Sequence, residues 1–198
     1  IGDRDLATAA FALGAFNALS RSLMRRAGFE TPDRPASKEA SSGGSAGLVG
    51  MVGYFCPMID RLVDHGEEVL LLEQVPERVP DRERVRVTVE PADLAGCSRI
   101  LCTASVLVND TLDGLLTACP DVAHFEIIGP SGSGLPDPLL ARGVTSIGGI
   151  SFGDRNQLIG HLRRGGSWGA AGRKYQLDET SYPGLAQLMG RSGDTDPS

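Results

Sequence analysis

Apolar and polar positions change period several times along the chain, and each change predicts an element. Leu6, Ala9, Ala10, Leu13, Phe16, Leu19 and Leu23 recur at three- and four-residue steps, the spacing of one helix face. Arg21, Arg25 and Arg26 gather near the end, where a helix favours cations, and Gly28 supplies a stop. Asn17 lies beside this stripe, as a solvated or capping residue or as a ligand-facing amide. Glu30 to Ser45 contains Pro32, Pro35 and the run Ser37-Lys-Glu-Ala-Ser-Ser-Gly-Gly-Ser45. That stretch is too poor in apolar residues to hold itself in place and predicts a flexible linker.

From Leu48 the pattern alternates between short apolar runs and amphipathic stretches. Leu48 to Val52 reads as a strand, Met58 to Asp64 as a helix stopped by Gly66, and Glu68 to Glu73 as a second strand ending in an acid. Val85 to Val89 alternates apolar with polar, as an edge strand does, and Pro91 to Ala95 opens a helical turn. Arg99 to Thr103 is the next buried strand, and Asn109 to Cys119 the next helix, with Asn109 or Asp110 as N-cap. His124 to Ile128, a short helix over Asp137 to Arg142, a last strand over Val144 to Ile147, and a helix over Asp154 to Leu162 capped by Asp154 complete the series. After Gly165 the pattern weakens, with one terminal helical turn over Pro183 to Met189.

Strands separated by helices predict parallel βαβ units with right-handed crossovers, an α/β fold with a mostly parallel sheet and helices on both faces. The expected organisation is a leading helical piece over 1–29, a linker over 30–46, a Rossmann-like domain over 47–189 and a polar tail over 190–198. The chain opens on Ile1 rather than Met, which suggests that preceding sequence is absent.

Composition narrows the partners. A formal net charge of -6 gives no long-range attraction for a polyanion, so nucleic acid is an unexpected partner. The four cysteines, Cys56, Cys97, Cys102 and Cys119, have no C-x-x-C spacing and no scaffold density, the usage of a reducing, cytoplasmic compartment. Leu6 to Phe16 is shorter than the roughly 18 residues of a membrane span, and Asp3-Arg4-Asp5 precedes it rather than a basic leader. Neither a membrane nor a secretory route is expected.

In an open parallel sheet, ligands sit outside the carboxyl ends of the strands. Gly53-Tyr54-Phe55-Cys56, Glu73, Thr103-Ala104-Ser105 and Gly129-Pro130-Ser131-Gly132-Ser133 fall there. The glycines of Gly47-x-x-Gly-x-x-Gly53 superficially match a dinucleotide fingerprint, but bulky Tyr54 and Phe55 obstruct a pyrophosphate's approach to bare backbone. Those aromatics either pack over the sheet edge or stack a flat ligand. Glu73 stands where a ribose-binding acid sits in nucleotide proteins, although strands commonly end in a charge. Thr103, Ser105, Asn109 and Thr111 surround a helix N-terminus, which suits an anion or serves only as capping. Pro130 and Ser131 belong to a Gly-rich loop that either cradles an anion or simply turns. Cys56, before a helix N-terminus, is the cysteine placed to favour a thiolate or to bind a soft metal. No Ser-His-Asp order, nucleophile elbow or paired-carboxylate spacing stands out.

Several of these pieces together resemble the DUF364 family, also known as a heavy-metal chelation domain. They are Val49-Gly-Met-Val-Gly-Tyr-Phe-Cys-Pro57, Glu73 before Pro76-Glu77, Cys102-Thr-Ala-Ser-Val-Leu-Val-Asn-Asp-Thr-Leu-Asp113, Ile128-Gly-Pro-Ser131, and Gly143-Val144 followed by Gly148-Gly149. The resemblance implies a Rossmann-like domain, commonly preceded by a small α+β domain similar to the N-terminal part of enolase. Residues 1–29 would then carry the final helix of that smaller domain. It implies metals or metal complexes as ligands, or a pterin- or nucleotide-like molecule, and no particular reaction.

The expectation is therefore a small-ligand-binding protein taking a metal, a metal chelate or an anionic ring-shaped ligand. Gly53, Tyr54, Phe55, Glu73, Thr103, Asn109, Thr111, Pro130 and Ser131 would surround the ligand, and Cys56 would be the metal candidate. A transition metal ion is the cofactor considered, and its identity is left open. Two alternatives stay open: an enzyme of small-molecule metabolism using Cys56 or Glu73, and a homodimer formed through the Leu6–Leu23 helix.

Overall fold

The computed structural model describes residues 5–34, 47–166 and 168–193. Its elements are α1 (Leu6–Arg26), β1 (Leu48–Val52), α2 (Cys56–Asp64), β2 (Glu68–Leu72), β3 (Val85–Thr88), β4 (Arg99–Thr103), α3 (Leu112–Ala118) and β5 (Phe125–Ile128), followed by α4 (Asp137–Leu140), β6 (Ser146–Ser151), α5 (Arg155–Arg163), β7 (Arg173–Asp178) and α6 (Leu185–Gly193). The strands form one seven-stranded sheet in the order β3-β2-β1-β4-β5-β6-β7. β1 to β6 run parallel and β7 pairs antiparallel with β6. The order reverses between β1 and β4, the topological switch point where α/β sheets open a crevice.

The apolar runs predicted this sheet because parallel strands are buried on both faces. Val52, Leu70, Ile100, Cys102, Phe125, Ile127 and Ile147 fill one side together with Leu94, Leu112 and Leu115. On the other, Val49, Met51, Val69, Leu71 and Leu101 pack beneath Met58, Ile59 and Leu62 of α2. α1 and α6 meet over the β7 end, where Met24, Ala27, Tyr175, Leu177, Tyr182 and Leu188 close a third cluster. Asp137 fixes that corner by accepting from the Tyr182 hydroxyl at 2.6 Å and from the Leu185 amide at 2.9 Å. Burial and that hydrogen bond push the Tyr182 phenol well above its ordinary pKa. The outward side of α1 leaves Leu6, Phe11 and Leu19 exposed.

Three expectations are corrected. The helix expected from Asn109 begins at Leu112, because Ala104–Leu107 forms a 3-10 turn and Asp110 takes a left-handed φ of 60°. Thr111, not Asn109 or Asp110, stands at the N-cap, without a side-chain cap bond. The strand expected to be last, Val144 to Ile147, runs instead from Ser146 to Ser151, and β7 follows it in the stretch after Gly165 where the pattern weakens. Asp154 caps α5 as expected, accepting from the amides of Asn156 and Gln157.

The segment predicted as a linker divides. Residues 35–46 lie outside those described, whereas Thr31 to Arg34 run beside β7. Asp33 bridges to Tyr175, the Arg34 amide donates to the Lys174 carbonyl at 3.3 Å, and the Arg173 guanidinium donates to the Thr31 carbonyl at 2.9 Å and to Asp33 at 2.5 Å. The polar tail expected over 190–198 is also corrected at its start, since α6 continues to Gly193; residues 194–198 lie outside those described. No helix among those described is long and apolar enough to cross a membrane.

Candidate functional site

The first turn is shaped by Gly53, whose φ of +86° an L side chain rarely adopts, and a Cβ there would press on the Thr103 methyl at 3.0 Å. The chain then passes through Tyr54 and Phe55 into α2, with Pro57 in its first turn, a position needing no amide donor. At the end of β5, Gly129 makes a second sharp departure with φ +137°. The loop that follows is clamped by α1 and by the last two strands of the sheet. The Asn17 amide of α1 donates to the Ser131 carbonyl at 3.1 Å and the Tyr175 hydroxyl to the Ser133 carbonyl at 3.0 Å, while the Ser133 hydroxyl accepts from the Ile150 amide at 3.1 Å. The ligand-facing option considered for Asn17 resolves into support for the loop that walls the site.

Between these two turns lies a cavity of about 420 Å³. Phe55, Met58, Ile128, Pro130 and Ile150 give it apolar walls, Thr103, Ser105 and Ser131 supply hydroxyls, and Arg34, Arg61 and Lys174 border it with positive charge. The described residues around it include no carboxylate, thiol or imidazole. Apolar walls with a few placed polar groups are the usual make-up of a small-molecule site.

Of the residues expected from the sequence, Phe55, Thr103, Pro130 and Ser131 converge here. Gly53 shapes the turn without lining the cavity. Tyr54 packs against the α2 core, and its hydroxyl engages the Cys56 thiol, which raises the phenol's pKa. Glu73 turns back on its own loop and accepts from the Val75 amide at 3.3 Å. Asn109 and Thr111 bond to each other at 2.8 Å. These last three satisfy local turns, as strand ends and loops commonly require.

Arg34, Arg61, Gly148, Gly149, Ile150 and Lys174 were not anticipated. Lys174 had a signal: Arg173-Lys-Tyr-Gln-Leu-Asp178 alternates polar and apolar positions. Arg34 had none, because its partner is distant in sequence. Its side chain, 6% exposed, pairs at 2.8 Å with Glu126, itself 3% exposed. Glu126 and Gly148 share a sheet face, since Glu126 registers with Ser146 and side chains alternate along a strand.

A bare metal ion does not fit this arrangement. Soft metals want thiolate or imidazole and hard ones converging carboxylates, yet no three His, Cys, Asp or Glu side chains come together among the described residues. Cys56 is exposed at the start of α2 and does not itself line the cavity, although Phe55 and Pro57 beside it do. Cys97, Cys102 and Cys119 are buried, and burial pushes the thiols of the first two up to about 11 and about 12 and raises the third.

A family model, DUF364, described as "Putative heavy-metal chelation", matches residues 40–179. Among solved structures, the chain is similar to a DUF364-family protein of unknown function from Pyrococcus horikoshii, with 22% identity and a TM-score of 0.65, over 84% of this chain and 66% of that one. It is also similar to a DUF364-family protein of unknown function from Desulfitobacterium hafniense, with 18% identity and a TM-score of 0.61, over 83% of this chain and 63% of that one. The chain thus spans about two thirds of the length of these two proteins, and at such identities the likeness speaks for the fold. No curated protein matches the chain.

Proposed function

The chain belongs to the DUF364 family, and from that premise we propose that it binds a small anionic molecule with a flat, apolar body in the crevice at the strand carboxyl ends. A metal would enter only as that molecule's chelate, its coordination supplied by the ligand. One observation carries the reading: Arg34, Arg61 and Lys174 border an apolar-walled cavity that offers no carboxylate, thiol or imidazole among its described residues. Opposite charge within a few ångströms, beside apolar walls, is what retains an anion. Phe55 and Met58 would cover the ring, and Thr103, Ser105 and Ser131 would bond its polar edge.

Dipicolinate, a planar aromatic dianion that also chelates zinc, is a suitable probe. In a melting-temperature and calorimetric titration, dipicolinate and its zinc chelate should both bind and stabilise the protein, while zinc chloride alone leaves it unchanged. Stabilisation by zinc or nickel alone, with no response to dipicolinate, would reverse the reading in favour of direct metal binding.

A further inference from the structure

Three separate elements of the fold make room for one side chain. The backbone of Arg34 is fixed because its amide pairs with Lys174 and its neighbours Thr31 and Asp33 are gripped by Arg173. From there the guanidinium reaches over the β5–β6 part of the sheet, on the face that α2 covers further along, and borders the cavity. β5 contributes a carboxylate in its interior, Glu126, against Arg34 Nη1. β6 contributes the absence of a side chain, because a Cβ at Gly148 would overlap Arg34 Nη1.

A buried ion pair is a poor stabilising device, since desolvating two charges offsets most of their attraction and an apolar pair of similar volume often does as well. A charge lodged in a parallel sheet beside a cavity therefore asks for a use there. Its planar guanidinium matches the two coplanar oxygens of a carboxylate or two oxygens of a phosphate, a match that a lysine cannot reproduce. Arg61 and Lys174 are exposed by comparison and add attraction at the cavity's border.

We propose that Arg34 is the residue that orients the ligand's oxyanion, with Glu126 setting the guanidinium plane and Gly148 giving it the space to lie there. This rests on the anionic-ligand reading above and goes further: it assigns specificity to a residue delivered by the segment that precedes the Rossmann-like domain. An apolar body bearing a terminal oxyanion is the ligand class that follows.

The test is calorimetry with dipicolinate and, to separate carboxylate from phosphate, phenyl phosphate. Wild type is compared with Arg34→Lys, Gly148→Ala, Arg61→Gln and Lys174→Gln. Arg34→Lys keeps the charge but loses the fork, and Gly148→Ala keeps the arginine but displaces it. Each should weaken the better probe by about tenfold or more, whereas Arg61→Gln and Lys174→Gln should weaken it by about threefold. If Arg34→Lys proves unstable, Gly148→Ala alone decides the matter. Wild-type affinity in Gly148→Ala or Arg34→Lys, with the Arg61 and Lys174 variants weakened, would overturn the role of Arg34 and leave the anion site standing. Failure of wild type to bind either probe would sink the anion reading itself, and this inference with it.

Discussion

The two sides of the crevice use their polar residues in opposite ways. On the side of β1, β2 and α2, Tyr54, Cys56, Glu73 and the Arg82–Asp60 pair engage one another or their own loops at the surface. On the side of β5, β6 and β7, Arg34 and Glu126 are buried against each other, and Lys174 and Ser131 face the same cavity. A polar group at a strand end is therefore a weak pointer to a site, because loops consume such groups for their own hydrogen bonds. A charge carried into the sheet is a stronger pointer, because nothing local requires it.

The sharpest way to break this contrast is to remove one charge from each side. Glu126→Ala removes the carboxylate held against a buried guanidinium and should lower unfolding stability in urea by about 3 to 5 kcal/mol. A loss below about 1 kcal/mol would place Arg34–Glu126 in the same class as a surface pair. Next in size is the alkaline response of the buried thiols. Cys97 and Cys102 have folded pKa values raised from 9.0 to about 11 and about 12, so the folded state resists losing their protons. Stability is fully present below pH 9 and should fall as pH rises from there toward 12, as the unfolded chain ionises first. At pH 8, iodoacetamide should accordingly modify Cys56 in the native protein, and Cys97, Cys102 and Cys119 only after unfolding, as read by intact-mass spectrometry.

Smaller again is Asp60→Ala, which removes the partner of Arg82 where the two side chains are 46% and 34% exposed. It should cost about 1 kcal/mol or less in the same urea experiment. The smallest effect belongs to Glu73→Gln, which should leave dipicolinate affinity within about twofold of wild type because Glu73 bonds its own loop. A tenfold loss would return Glu73 to the site and blur the distinction between the two sides.

What the sequence made legible follows from the range of the forces involved. Buried parallel strands read as mostly apolar runs, so Leu48 to Val52 and Arg99 to Thr103 were bounded to the residue. β7 escaped because only Tyr175 and Leu177 of its six residues are apolar and its neighbours are glycines and charges. The start of α3 was misjudged because Asn109, a cap candidate, accepts from the Thr111 hydroxyl instead, and Asp110, the other, takes a left-handed φ. Part of the cavity was legible from strand ends alone, through Phe55, Thr103, Pro130 and Ser131. Its positively charged side and the support of its wall depend on pairings across the chain, Arg34 with Glu126 and Asn17 with Ser131, that leave no periodic trace.

The short run from Thr31 to Arg34 also bears on how the molecule behaves among copies of itself. β7 is the outermost strand, and an outermost strand offers unpaired amides and carbonyls to any extended chain that drifts against it. Here the chain answers that hazard with its own backbone, placing Asp33 opposite Tyr175 and the Arg34 amide on the Lys174 carbonyl. The opposite rim needs less protection, since β3 is only four residues long and carries Arg86. A proteolytic cut or deletion that freed residues 31–34 would thus uncover a sticky rim as well as remove a cation from the cavity, and light scattering should show the protein aggregating.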